Sequence, residues 1–126
     1  MEPGRSPWNV FRSARDAASG LLWAVGNARS LQLGFAVVIV LLAIGVALRV
    51  GPVELAIMVL GGTLLLAVET LNTAIETLCD YLHPNPDPRI GRVKDVAAGA
   101  SLVCELGGLA VLLLILVPHV LSWIGH

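Results

Sequence analysis

Four polar side chains recur along one stretch of the sequence, ETLNTAIETLCD, which directly follows an uncharged apolar run. They are Glu69, Asn72, Glu76 and Asp80, at positions i, i+3, i+7 and i+11. On a helix these positions fall within one stripe that is about 80° wide. A carboxylate in hydrocarbon costs at least ~2.5 kcal/mol. We therefore expect the stripe to face other helices, water or a cation rather than lipid.

A second polar group, Lys94 and Asp95, follows in the segment GRVKDVAAGA. If the two segments are antiparallel helices, this pair lies level with Asp80, and Glu69 lies about 16 Å deeper. Carboxylate and amide oxygens suit Mg²⁺, which often binds together with the phosphates of a nucleotide, and a nearby lysine suits phosphate. The alternative is a polar stripe that only holds helices together through hydrogen bonds. Four polar groups exceed that need, so the spacing favours a binding site.

The composition indicates that these residues belong to an integral membrane protein. Of the 126 residues, 56% are hydrophobic and only 13% are charged, and the mean hydropathy is +0.84. So few charges cannot cover the surface of a soluble domain of this length. Three apolar segments, at residues 31–49, 53–80 and 95–117, are long enough to cross a hydrocarbon layer of ~30 Å. The sequence has no run of basic residues of the kind that indicates binding to nucleic acid.

The residues before the first apolar segment predict an amphipathic helix on the membrane surface, from 6 to 28. Apolar residues recur there at helical spacing, and Ser6 is a suitable N-cap. Basic residues in this region and in the loop YLHPNPDPRIGR predict that both lie in the cytoplasm. Because the loop is rich in proline, we expect it to be non-helical. Pro118 and His119 are expected to mark the end of the third membrane helix.

The stretch ETLNTAIETLCD fits the pattern ExxN[ST]AIExxxD, and GRVKDVAAGA follows at the expected distance. Together they resemble the prokaryotic diacylglycerol kinase family, which includes undecaprenol kinases, and the resemblance covers most of the chain. It implies an all-α integral membrane protein with a surface helix and three transmembrane helices. It also implies a homotrimer in the bacterial inner membrane, with a cytoplasmic N-terminus and active sites shared between neighbours. The implied reaction transfers the γ-phosphate of MgATP to a lipid hydroxyl, of diacylglycerol or undecaprenol, at the cytoplasmic face.

The resemblance also implies roles for individual residues. Glu69 corresponds to the general base that takes the proton of the lipid hydroxyl, and Asn72 to its polar neighbour at the reacting phosphate. Glu76 corresponds to a Mg²⁺ ligand. The nucleotide site is expected to include Glu76, Asp80, Gly91, Lys94 and Asp95.

One position departs from the family pattern. The family places a second metal-binding Glu shortly before the first membrane helix, where this chain has Asn27 or Ala28, depending on the alignment. An amide oxygen is a weaker ligand for a hard dication than a carboxylate. This departure leaves an alternative open, namely a non-catalytic trimeric relative that binds nucleotide or lipid. A small ion carrier is disfavoured because the outer half of the second helix offers few polar groups.

Glu105 is a further unusual residue, because it lies in the third apolar segment, where the family is normally apolar. It follows Asp95 by ten residues, so it lies about 15 Å deep, at the level of Glu69. Two interpretations remain open. Glu105 either hydrogen-bonds a backbone carbonyl across a helix interface or takes part in the site for the lipid headgroup.

Overall fold

The computed structural model describes residues 7–125, with side chains from Asn9 onward. The chain forms four helices, which are α1 (Pro7–Asn27), α2 (Arg29–Ala47), α3 (Pro52–Leu82) and α4 (Pro88–Ile124). No strand occurs within residues 7–125, so the predicted all-α class is confirmed. The predicted cap residue Ser6 lies outside the described part of the chain.

Three of the helices, α2, α3 and α4, are long and apolar enough to cross a membrane. Large apolar side chains are mostly exposed along them, and Leu31 is the only fully buried large side chain among the described residues. A soluble domain buries such side chains in a core, whereas lipid tails can cover them here. The α-helical membrane architecture predicted from the composition is therefore confirmed.

The chain bends between the surface helix and the first membrane helix. Ala28 has an extended backbone, with φ of −112° and ψ of 109°, and separates α1 from α2. The Gln32 side chain reaches back across the bend and donates from Nε2 to the Val25 carbonyl at 2.8 Å. Ala24 and Leu31 are buried on either side of the bend. These contacts define the direction in which α2 leaves α1.

A tight connection reverses the chain between α2 and α3. Arg49 has a positive φ of 56°, and Gly51 precedes Pro52, the first residue of α3. The Glu54 side chain accepts a hydrogen bond from Gly51 N at 2.9 Å. Proline suits the first turn of a helix because the missing N–H has no helical partner there. This geometry makes α2 and α3 an antiparallel hairpin.

The hairpin packs closely at Gly62 of α3. A Cβ atom at this position would lie 2.7 Å from Cγ1 of Val38 on α2, whereas a Cβ atom at the adjacent Gly61 would meet no atom within 4 Å. Small residues allow membrane helices to approach closely and gain dispersion contacts. The absence of a side chain at Gly62 is therefore part of the packing between α2 and α3.

We expect Gly62→Ala to destabilise the hairpin by about 1–3 kcal/mol, because the added methyl group overpacks the interface with Val38. Gly61→Ala is the matched control, and it should be neutral or slightly stabilising because alanine favours a helix over glycine. Thermal unfolding in detergent measures both. Equal stability of the two variants would contradict the close packing at Gly62.

The helix that contains the predicted third span, residues 95–117, is longer than that span at both ends. The predicted non-helical loop is helical from Pro88 onward, so α4 begins seven residues before residue 95. Asp87 caps this helix by accepting a hydrogen bond from Arg89 N at 2.8 Å. The reason is that proline breaks a helix only in its interior, and Pro88 occupies the first turn. The prediction of a non-helical loop did not take into account that Pro88 could occupy the first turn of a helix.

The Asp87 cap links the stability of the start of α4 to pH. Hydrogen bonds from the side chain and the backbone of Arg89 hold the pKa of Asp87 below its usual value. A carboxyl with a lowered pKa contributes stability above its unfolded pKa, and that stability is lost as the pH falls through the lowered value. The start of α4 should therefore weaken only in acid.

At its other end α4 continues through Pro118 to Ile124, whereas the sequence predicted that it would end near Pro118. Next to this proline, Nδ1 of His119 lies 2.8 Å from the Ile115 carbonyl oxygen. Membrane helices tolerate an internal proline when side chains and neighbouring groups satisfy nearby backbone carbonyls. The carbonyl that loses its helical donor to Pro118 is that of Leu114, and the His119 side chain contacts the adjacent carbonyl of Ile115.

Candidate functional site

A cavity of about 790 Å³ opens between α2, α3 and α4. Most of its wall is apolar and comes from residues of all three helices. The polar side chains that line it are Ser30, Glu69, Asn72, Glu76, Ser101 and Glu105. It therefore combines an apolar space, suited to a lipid, with carboxyl and amide groups, suited to chemistry at a polar headgroup.

Glu69 is the most buried carboxyl group of the cavity. The residue is 6% exposed, and Thr73 binds its backbone rather than its carboxyl group, donating from Oγ1 to the Glu69 carbonyl at 3.0 Å. The carboxyl group has no salt-bridge partner among the described residues. It is therefore available to accept a hydrogen bond, and then a proton, from a hydroxyl group in the cavity.

Asn72 and Glu76 form a hydrogen-bonded pair one turn further along α3. Asn72 donates from Nδ2 to Oε1 of Glu76 at 3.2 Å. The remaining amide oxygen, Oδ1 of Asn72, is buried and has no hydrogen-bond partner within residues 9–125. A buried unpaired acceptor is costly unless a ligand, water or ion supplies the missing contact. The pair therefore offers two kinds of oxygen to the cavity, amide and carboxylate.

These oxygens are suitable for a hard cation such as Mg²⁺. The described residues contain no group of three or more His, Cys, Asp or Glu residues arranged to enclose a metal ion. Mg²⁺ commonly binds through one or two carboxylates together with substrate phosphates and waters. Glu76 and Asn72 fit this incomplete kind of site, in which a nucleotide supplies the other ligands.

A second cavity, of about 660 Å³, lies where the loop enters α4. Asp80, Gly91 and Lys94 line it, and Lys94 Nζ forms an ion pair with Asp80 Oδ1. His83 also lines it, and its Nδ1 atom lies 2.8 Å from the Asn85 carbonyl oxygen. The ion pair links the end of α3 to the start of α4. It fixes a cationic group beside the cavity, as a phosphate site requires.

The predicted site residues are therefore divided between two cavities. Glu69, Asn72 and Glu76 line the first, and Asp80, Gly91 and Lys94 line the second. Glu76 precedes Asp80 by one helical turn on α3, whereas Gly91 and Lys94 lie on α4. The structure brings together most of the residues that the two motifs singled out.

Two predicted residues lie apart from both cavities. Asp95 is exposed on the first part of α4. Asn27 is exposed at the end of α1, where its Nδ2 atom donates to the Trp23 carbonyl at 2.8 Å. Within one chain neither residue lines a cavity. A metal-binding role for Asn27 stays a prediction.

One polar residue of the first cavity, Ser101, was not predicted from the sequence. Ser101 is 5% exposed, and its Oγ atom has no hydrogen-bond partner in the described part of the chain. It precedes Glu105 by one helical turn, so both residues lie on the same face of α4. The spacing between Ser101 and Glu105 could have indicated that both belong to one polar face. A lone serine in a membrane helix, however, usually hydrogen-bonds a carbonyl of its own helix.

Two comparisons with known proteins bear on this site. A family model described as prokaryotic diacylglycerol kinase matches residues 15–116. The chain is also similar to a protein named diacylglycerol kinase from Synechocystis sp., with 26% identity over 115 residues. That match covers 90% of this chain and 66% of the relative, so the chain spans just under two thirds of the relative's length.

Proposed function

Since the chain belongs to the prokaryotic diacylglycerol kinase family, as its two motifs predicted, we propose that it phosphorylates a membrane lipid hydroxyl with MgATP. The acceptor classes proposed are diacylglycerol and undecaprenol. The observation that carries the proposal is the buried Glu69 carboxyl group, which lines an apolar cavity beside the pair of Asn72 and Glu76. Apolar walls suit the lipid chain, and the polar groups suit its hydroxyl and a phosphate.

The chain's residues divide the work of phosphoryl transfer. The lipid hydroxyl enters the cavity and donates to Glu69, which takes its proton as the oxygen attacks the γ-phosphorus of ATP. The bond between this phosphorus and the bridging oxygen to the β-phosphate breaks, and ADP leaves. The oxygens of Asn72 and Glu76 would hold Mg²⁺. When bound, the cation neutralises charge on the phosphates. Lys94, held in place by Asp80, attracts the nucleotide's phosphates at the second cavity.

The nucleotide site and the assembly are further parts of the proposal. Glu76, Asp80, Gly91, Lys94 and Asp95 are the residues proposed to bind ATP. The proposed assembly is a homotrimer, in which a neighbouring copy supplies what one chain lacks around Glu76. The proposed location is the bacterial inner membrane, with the N-terminus in the cytoplasm.

One assay tests the function. Purified protein is incubated with Mg²⁺, γ-labelled ATP and either diacylglycerol or undecaprenol, and the lipid fraction is analysed for label. We expect a labelled phospholipid from one or both acceptors, and no label when a chelator removes Mg²⁺. If neither lipid is labelled although the protein binds nucleotide, the kinase proposal is wrong.

A non-catalytic relative that binds nucleotide or lipid is the second candidate. The amide at Asn27, in place of the family's carboxylate, favours it. If the protein is a kinase with a weakened metal site, Asn27→Glu should lower the half-saturating Mg²⁺ concentration several-fold while turnover holds or rises. Ala28→Glu is the control for the other alignment. A magnesium titration of both variants that shows no gain in affinity would contradict the weakened-site interpretation.

Orientation is tested at the two ends of α4. Asn85 and Ser122 are both exposed and lie near opposite ends of that helix. In a background without Cys79 and Cys104, a cysteine introduced at Asn85 should resist impermeant thiol reagents that are added outside intact cells. A cysteine introduced at Ser122 should react with them. The reverse pattern would invert the proposed topology and move the site to the outer face.

A further inference from the structure

The polar atoms that line the first cavity are mostly hydrogen-bond acceptors. Asn72 has already committed its donor Nδ2 to Glu76, which leaves Oδ1 as an unpaired buried acceptor. Glu69, Glu76 and Glu105 contribute carboxyl groups to the same lining. A cavity of this kind is complementary to a ligand that brings more than one donor group.

Part of this polar lining lies on α4, away from the α3 residues proposed for catalysis. Ser101 and Glu105 are one turn apart and both line the cavity. The Ser101 hydroxyl is buried and has no partner among the described residues. The proposed reaction between the hydroxyl and the phosphate assigns its roles to Glu69, Asn72 and Glu76. It assigns none to Ser101 or Glu105.

We propose that Ser101 and Glu105 bind a second hydrogen-bond donor of the acceptor lipid, next to the hydroxyl that is phosphorylated. This inference rests on the proposed function and specifies its substrate class. The preferred acceptor carries a further hydroxyl or amine in its headgroup, as an acylglycerol with two free hydroxyls does. Diacylglycerol and undecaprenol each present one hydroxyl, which Glu69 engages, so both remain acceptors. We expect them to be phosphorylated less efficiently than a lipid that also pairs with the α4 groups.

The charge and depth of Glu105 agree with this role. The residue is exposed on the single chain, at the open side of the cavity, so its carboxyl group can be reached by a headgroup. Burying a carboxyl group in hydrocarbon without a partner is unfavourable, and a donor of the lipid provides that partner. The buried Ser101 hydroxyl lies one turn nearer the start of α4 and can bind the same group.

The test compares acceptor lipids that differ in donor groups. Wild type, Glu105→Met and Ser101→Ala are assayed with 1-monoacylglycerol, diacylglycerol, undecaprenol and a long-chain amino alcohol. Comparison of 1-monoacylglycerol with the amino alcohol shows whether the second donor is a hydroxyl or an amine. We expect the wild type to prefer a lipid with a second donor, as measured by kcat/KM relative to diacylglycerol. Glu105→Met should lower this preference about tenfold or more, and Ser101→Ala should lower it less.

Leu106→Met is the matched control, because Leu106 is exposed on α4 and does not line the cavity. It should leave the preference unchanged. If Glu105→Met also leaves the preference unchanged, the inference is wrong. A loss of oligomer in that variant, seen by size-exclusion chromatography with an unchanged preference, would assign Glu105 to a contact between copies instead.

A binding measurement separates this inference from the proposed function. A ligand that binds only the folded protein stabilises it by an amount that grows with the ratio of ligand concentration to Kd. Each lipid's effect on the Tm can therefore be measured at equal concentration and without turnover. If no lipid is phosphorylated, the kinase proposal fails. The inference then still requires 1-monoacylglycerol or the amino alcohol to raise the Tm of wild type more than that of Glu105→Met, and equal shifts would overturn it.

Discussion

Replacing Glu69 with glutamine should reduce lipid phosphorylation by about 10²-fold or more while nucleotide binding persists. Glutamine keeps the size of the side chain and can still hydrogen-bond, but it cannot accept the proton of the lipid hydroxyl. The residue is buried in the cavity wall. The loss should appear in kcat, with the KM for ATP nearly unchanged.

Glu54→Gln on the same helix is the matched control for this prediction. Glu54 lies at the opposite end of α3, where its Oε2 atom is 3.3 Å from Nε2 of His119 and accepts from Gly51 N. The same chemical change there should leave lipid phosphorylation within a few-fold of wild type. If Glu69→Gln also retained wild-type turnover, Glu69 would not be the base, and another group would have to accept the proton.

Replacing Glu76 with glutamine should have the second large effect, a fall in turnover of about 10²-fold at ordinary Mg²⁺ concentrations. The Glu76 carboxylate accepts a hydrogen bond from Nδ2 of Asn72 at 3.2 Å. An amide in its place binds a hard dication more weakly. Raising the Mg²⁺ concentration should therefore restore part of the activity.

The response to magnesium separates the roles of the two glutamates. Glu69→Gln removes a proton acceptor, so additional Mg²⁺ should not restore its activity, whereas Glu76→Gln should recover. A magnesium titration of wild type and both variants measures this difference. If both variants responded equally to Mg²⁺, the division between base and metal ligand would be wrong.

The periodicity of α3 predicted from the sequence alone that polar residues of the candidate site share one face of the helix. The positions of Glu69, Asn72 and Glu76 on one stripe follow from helix geometry, which depends on the backbone and not on the neighbours. The level of Glu105 also followed from counting residues, because helical rise is constant. The structure places all four residues on one cavity.

Other features depended on context that a local pattern does not contain. Pro88 reads as a helix breaker in the sequence, yet it begins α4 because Asp87 caps the helix just before it. Asn27 precedes the first membrane helix, where a metal ligand was expected, yet it lies away from the cavity of its own chain. Position within a helix and the direction of the bend at Ala28 decide these outcomes.

The sequence by itself determined the membrane setting, the number of spanning helices and the composition of the polar stripe, because hydropathy and helical repeat are properties of the chain. Only the tertiary structure decided which faces of the helices meet. The close packing of Gly62 against Val38 joins α2 to α3, and the pairing of Lys94 with Asp80 joins α3 to α4. These contacts join residues that are distant in the sequence, and they bring Ser101 and Glu105 to the cavity of Glu69. A local sequence pattern does not determine them, because they depend on how whole helix surfaces fit together.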